Sequence, residues 1–220
     1  MQKNTKQYII DEATKVFNRD GFGKVSLQDL ARELNMSRGN LAYHFPNKDV
    51  LLAAIFDQMW TAIDSERQNA RTFPSFQNLR KEVQLYAHYQ RTYAFIFTDS
   101  QVMAIPVIQE SLRKMTLATI RDNEAAIAFA IKLGNMRPEP FPGAYHQVAV
   151  ATWMTMFYWL PQQILRGDLP DEAAEKAVWC LILPHFTERG IQAFKEFHGI
   201  DFFNSLGPAL EIDPEDIVVL

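Results

Sequence analysis

Between Ser26 and Lys48 the chain reads SLQDLARELNMSRGNLAYHFPNK, and its most informative chemistry lies at Arg38, Gly39 and Asn40. Arginine and asparagine are the residue types that make paired hydrogen bonds to guanine and adenine edges in the major groove of duplex DNA. Gly39 falls between them, inside a helical pattern and turned toward solvent. Such a glycine costs roughly 1 kcal/mol against alanine, so close approach of this backbone to another molecule is a reason to keep it.

The elements that must position these residues are two short helices and a tight turn. Ser26 and Asp29 form a capping box that opens the first helix, and Leu27, Leu30, Ala31 and Leu34 recur at helical spacing to give it one apolar face. Asn35 tolerates the left-handed conformation that stops a helix, and Ser37 caps the next one. In that second helix Leu41 and Phe45 share the inward face, leaving Gly39, Asn40, Ala42 and Tyr43 outward. Before this pair, Asn4 and Gln7 suit a helix start, Ile9, Ala13, Val16 and Phe17 keep helical spacing, and Gly21 suits the stop. After it, Asn47 caps a helix reaching about Ala70 with Leu52, Ile55, Phe56, Met59 and Ile63 in a stripe. Its free N–H groups and Lys48 offer a phosphate seat.

At this point the chain resembles the tetracycline-repressor (TetR) family of transcription regulators, over roughly residues 4–57. The pattern is a helix ending in Phe17, then Gly21-Phe22, Ser26, Leu30-Ala31, Ser37, Gly39, Leu41, Tyr43-His44-Phe45, Lys48 and Leu51. The resemblance implies phosphate contacts from Ser26, Ser37, Tyr43, His44 and Lys48, and base or groove contacts from Gln28, Arg38, Gly39 and Asn40. It implies double-stranded operator DNA as partner, a homodimer, and a repressor released by a small effector. Two positions depart from the family's habit: a usual tyrosine is Ala42, and the usual Gly-Val of the turn is Asn35-Met36. Losing the tyrosine removes one backbone anchor and motivates an alternative, a helical ligand-binding or dimerisation protein with a degenerate DNA-binding head.

The charge is distributed in keeping with a DNA-reading end. The whole chain carries −4, but residues 1–50 hold 8 Lys or Arg against 6 Asp or Glu, while residues 51–220 hold 14 against 20. A mildly basic head thus sits on an acidic body. The one cysteine, Cys180, excludes an intramolecular disulfide and suits a reducing compartment. Its apolar neighbours suggest a buried, inert thiol. The start MQKNTKQYII lacks a signal-peptide core, so a cytoplasmic protein is expected.

Beyond residue 60, strand alternation is not evident and the whole chain reads all-α: a helix-turn-helix unit at 1–46 and a larger helical domain at 47–220, joined by the helix 47–70. Turn signals fall at Thr72–Ser75, Asp99–Pro106, Gly134–Gly143, Gly167–Pro170 and from Gly199 onward. A long helix is predicted from Pro106 to Lys132. From Pro140 through Leu165 there is no Asp, Glu, Lys or Arg. The apolar run within it is too short for a membrane span, which needs about 20 such residues; a helix apolar on all sides must instead be covered on all sides. The resemblance implies that the last long helices, here about Ala144–Leu165 and Asp171–His198, pack across a homodimer, with Met156, Trp179, Leu183 and Phe186 at the contact and Pro184 splitting the second helix. Aromatic and methionine side chains suggest a pocket for a small, largely apolar effector, with His88, Tyr89, Tyr93, Met115, Trp153 and Phe157 as its lining. The five histidines show no metal-ligand spacing, and there is no P-loop, dinucleotide fingerprint or nucleophile elbow. No catalytic residue, metal or cofactor is assigned.

Overall fold

A computed structural model describes residues 5–70, 74–167 and 172–207, with the side chains of residues 69 and 70 excluded. Expectations for Asn4, Thr72, Pro170, Asp171 and the acidic tail from residue 208 lie outside the described residues. Within them the chain is helical throughout, with one isolated antiparallel bridge between Met136 and Phe186.

The first three helices are α1 (Thr5–Asp20), α2 (Leu27–Glu33) and α3 (Arg38–His44). They close around Ile9, Ala13, Phe17, Leu30, Leu41 and Phe45, all essentially inaccessible. Helix α4 (Lys48–Ala70) begins where Asn47 Oδ1 accepts the Val50 N–H at 2.9 Å. It buries Leu51, Leu52, Ile55 and Phe56 against this group, then Met59 and Ile63 farther on.

The body continues with α5 (Phe76–Thr92), the short helices α6 (Ala94–Thr98) and α7 (Ser100–Met103), and α8 (Pro106–Lys132), the last with the predicted bounds and Pro106 in its opening turn. Helix α7 occupies the stretch expected to be a turn. The apolar run from Ala144 is two helices, α9 (Ala144–Phe157) and α10 (Trp159–Arg166), where one was expected. Pro161 has no N–H for the Phe157 carbonyl, so the ladder is already weak there. The buried Gln90 amide completes the break: its Oε1 accepts Leu160 N–H at 2.8 Å and its Nε2 donates to the Met156 carbonyl.

After α11 (Ala173–Ile182) a 3-10 turn at Leu183–His185 carries Pro184, followed by α12 (Glu188–His198) and α13 (Ile200–Asn204). The proline therefore splits this element as expected. Gly190 of α12 lies against the loop after α8, where an added Cβ would stand 2.0 Å from the Asn135 carbonyl oxygen. We expect Gly190→Ala to force this contact apart and cost about 1–3 kcal/mol; an unchanged urea midpoint would mean that the loop moves freely.

Met156, Trp179, Leu183 and Phe186 are buried within the chain, so the expected contact with a second copy does not use them as outward residues. Trp179 packs edge-on to Phe194 and Phe76, at 4.9 and 5.7 Å between ring centroids. A charge at these positions would disrupt the monomer's core before any association. Cys180 also differs from expectation: it is exposed, because Val178, Trp179 and Ile182 take the inward side of α11.

Candidate nucleic-acid interface

The turn from α2 to α3 is built by Asn35, whose φ of 53° is the left-handed value expected there. The Met36 N–H reaches the Ala31 carbonyl at 3.0 Å and the Asn35 N–H reaches Arg32 at 3.1 Å, the paired bonds of a Schellman stop. Ser37 Oγ then accepts the Asn40 N–H at 3.1 Å and opens α3, keeping its own hydroxyl proton available to an acceptor. At the start of α2 the capping box is complete: Ser26 Oγ accepts from Asp29 N at 3.1 Å, and Ser26 N donates to Asp29 Oδ2 at 3.3 Å. The Ser26 hydroxyl also donates to Asp29 Oδ2 at 2.5 Å, and this bond, then the one from Ser26 N, holds the Asp29 carboxyl below its ordinary range.

On the outer side of this pair, Gln28, Gly39, Asn40 and Tyr43 are exposed, and Arg38 and His44 are half-buried. A Cβ built on Gly39 would meet nothing closer than Ser37 Oγ at 4.0 Å. No packing within the chain therefore requires glycine here, which leaves close approach from outside. Tyr43 is 84% exposed, with His44 edge-on at 5.1 Å. Arg38 Nη1 is buried and has no hydrogen-bond partner, so this donor is not committed to another side chain. Asn40 thus presents an exposed side chain of the kind that reads base edges, and the Arg38 guanidinium reaches one by turning its buried Nη1 outward, on a helix narrow enough for a major groove.

Lys48 is placed differently from an open phosphate seat. Its Nζ donates to the Phe22 carbonyl and lies 4.1 Å from the centre of the Phe22 ring. Burial lowers the pKa of this amine, against the opposing pull of Asp99 and Asp49. In this conformation Lys48 fastens the loop between α1 and α2, and a phosphate must compete for it.

The unit is tied to the body through Asn18 and Gln58, which sequence patterns did not single out. Asn18 of α1 donates to the Thr92 carbonyl at 2.8 Å and accepts the Phe95 N–H at 3.1 Å. Phe95 also packs on Phe17, with centroids 5.4 Å apart. Gln58 of α4 bonds Gln7 at 2.6 Å and the Tyr93 hydroxyl at 3.3 Å. Their partners are close in space and far in sequence, so periodicity carried no signal for them.

A cavity of about 950 Å³ lies in the body, walled mainly by α5, α8 and α11 and touched by the last turns of α4. Of the six residues expected to line a pocket, only His88 does so. Tyr89, Tyr93, Met115, Trp153 and Phe157 are packed core. Tyr89 stacks on Tyr93 at 6.2 Å and donates to Glu66 at 2.8 Å; burial, then this bond, pushes its hydroxyl up to about 12. The cavity walls instead include Phe76, Leu79, Ile127, Ala130, Trp179 and Ile182. Beside it the guanidinium of Arg67, 4% exposed, pairs with Glu82 at 2.8 Å and Asp122 at 3.0 Å and donates to Thr119 at 3.3 Å. Burial works against this charge, but Tyr86, Glu82, Asp122 and Asp64 together hold its pKa raised.

No helix among the described residues is long and apolar enough to cross a membrane, and no group of three potential metal ligands occurs among them. The sequence profile described as "Bacterial regulatory proteins, tetR family" matches residues 9–55, the span of α1 through the first turns of α4. The HTH-type transcriptional regulator RutR of Escherichia coli K12 is 26% identical over 140 residues, covering 60% of this chain and 65% of RutR. The A-factor receptor protein of Streptomyces griseus is 24% identical over 198 residues, 86% of this chain and 66% of that protein. Among solved structures, a TetR-family regulator of Marinobacter aquaeolei VT8 superposes with a TM-score of 0.79 at 18% identity, covering 94% of this chain and all of that one. A complex of SmeT with triclosan gives a TM-score of 0.66 at 18% identity, over 84% of this chain and 93% of SmeT. The capped α2–α3 pair and its exposed Gly39 face fall within the matched residues, so the segment 9–55 carries the helix-turn-helix unit of the tetR family of bacterial regulatory proteins, set on a body with the fold of TetR-family regulators.

Proposed function

We propose that the protein is a dimeric repressor that binds a palindromic operator through α3 and releases it when a small, largely apolar molecule enters the body cavity. The observation that carries the reading is Gly39, exposed with open space around it and set between Arg38 and Asn40. Ser26, Gln28, Ser37, Tyr43 and His44 lie around the same end and are assigned phosphate or groove contacts; Lys48 joins them if it exchanges the Phe22 carbonyl for a phosphate. The cavity supports the effector role, and SmeT, a structural relative, is solved with triclosan.

The dimer contact is assigned to the outer side of α9 and α10. Met154, Tyr158 and Leu165 are exposed there, on a segment without Asp, Glu, Lys or Arg. A free surface of that composition is expected to be covered, and a stable contact should bury at least about 1,200 Å² in total. In the operator-bound dimer the two α3 helices should sit about 34–36 Å apart, one turn of duplex.

Selection from random duplex oligonucleotides tests this reading and should return imperfect palindromes. Arg38→Ala should cost about 1–3 kcal/mol on the selected site and relax preference at one position. Lys48→Ala should weaken all sequences alike and lower the salt slope by about one unit. If no duplex is preferred at any salt concentration, Ala42 marks a head that no longer reads DNA, and the protein is a ligand-binding or dimerisation module.

A further inference from the structure

The cavity has an apolar interior and a charged end, and the charges there are unequal. Among the described residues, Glu66, Glu82 and Asp122 line it against Arg67 and Lys81. Lys81 and Glu66 are both exposed to water, where their opposite fields are screened and largely offset, which leaves the partly buried Glu82 and Asp122 against a single guanidinium. Arg67 is buried and already committed to Glu82, Asp122 and Thr119. An entering anion would therefore face an excess of carboxylate and a guanidinium that is already neutralised. A neutral chain would gain only contact with Phe76, Leu79, Ile127, Ala130, Trp179 and Ile182. A cation carried on an apolar body gains both the contact and the carboxylates.

We propose that the cavity takes a monocationic amphiphile, an apolar skeleton bearing one amine or ammonium, with the cation beside Glu66, Glu82 and Asp122. The inference rests on the reading of this cavity as the effector site and names the class of effector. It also gives the ligand a route to the DNA-binding end. Arg67 is in the last turns of α4, and its partners are on α5 and α8. A ligand cation competes with Arg67 for Glu82 and Asp122 and loosens the tie that fixes the far end of the helix shared with the DNA-reading unit. Only such differential contact can shift the equilibrium between two arrangements of the head.

Calorimetric titration of the full chain with decylamine, decanol and decanoate, below their micellar concentrations and without DNA, tests the assignment. These three share a skeleton and differ in the charge of the head. Decylamine should bind about tenfold more tightly than decanol, a difference of about 1.4 kcal/mol, and decanoate should bind most weakly. Glu66→Gln, at an exposed position and still able to accept from Tyr89, should weaken decylamine several-fold and leave decanol unchanged. Decanol or decanoate binding as tightly as the amine would overturn the proposal, as would the absence of any decylamine binding. Because DNA takes no part, a failed operator selection leaves this result standing, and a failed titration leaves operator recognition standing.

Discussion

Gln90→Leu is expected to destabilise the protein by about 2–6 kcal/mol, since it strips two buried backbone groups of their partners at about 1–3 kcal/mol each. The Gln90 side chain is 1% exposed and stands in place of the helical bond that would join Leu160 N–H to the Met156 carbonyl. Leucine fills nearly the same volume but offers neither an acceptor nor a donor. Gln90→Glu should fall between, because at this buried site the side chain takes up a proton, accepts from Leu160 and donates to Met156 through its O–H, at the cost of holding that proton at neutral pH. Urea unfolding monitored by far-UV circular dichroism measures both variants. A loss under about 1 kcal/mol for the leucine variant would mean that α9 and α10 close into one ladder and re-pair the two groups themselves.

Arg67→Met should cost about 2–3 kcal/mol and weaken operator binding together. Removing one member of a buried ion-pair group typically costs about 3–5 kcal/mol, because the other charge is left uncompensated. Here the Glu82 and Asp122 side chains, which lose the guanidinium, are 22% and 44% exposed, so water recovers part of that loss. The functional half of the prediction follows from position: α4 contributes Leu51 and Leu52 to the core of the DNA-reading unit and Arg67 to the body. Arg67→Lys keeps the charge but cannot bridge three partners with one planar fork, and should lie between parent and methionine variant. Thermal unfolding and an operator titration on the same preparations read the two effects. A methionine variant with parental melting temperature and operator affinity would show that neither fold nor head depends on this cluster.

Both predictions concern residues that sequence spacing did not identify, whereas the DNA-reading unit was legible almost residue by residue. Its information is local. The Ser26–Asp29 box, the left-handed Asn35, the Ser37 cap and the inward pair Leu41 and Phe45 each depend on neighbours within about one helical turn. The start of α8 at Pro106 and the split at Pro184 are equally local, since a missing N–H and a fixed φ act wherever proline stands.

What the tertiary structure decided has a common physical origin in the apolar segments. Where nearly every residue from Val148 to Leu160 is hydrophobic, periodicity has no direction, and only packing determined that Met156 faces inward and Met154 outward. Packing likewise turned Cys180 to the surface and filled the expected pocket with Tyr93, Met115, Trp153 and Phe157. The cavity opened instead between α5, α8 and α11, where the side chains that meet leave space unfilled. Gln90 and Asn18 acquired their roles from partners more than fifty residues away in the chain, and Arg67 from Asp122 and Thr119 at such a distance together with Glu82 on the next helix. A polar side chain's residue type records that it can bond; which backbone or carboxylate it meets is fixed only when distant helices come into contact.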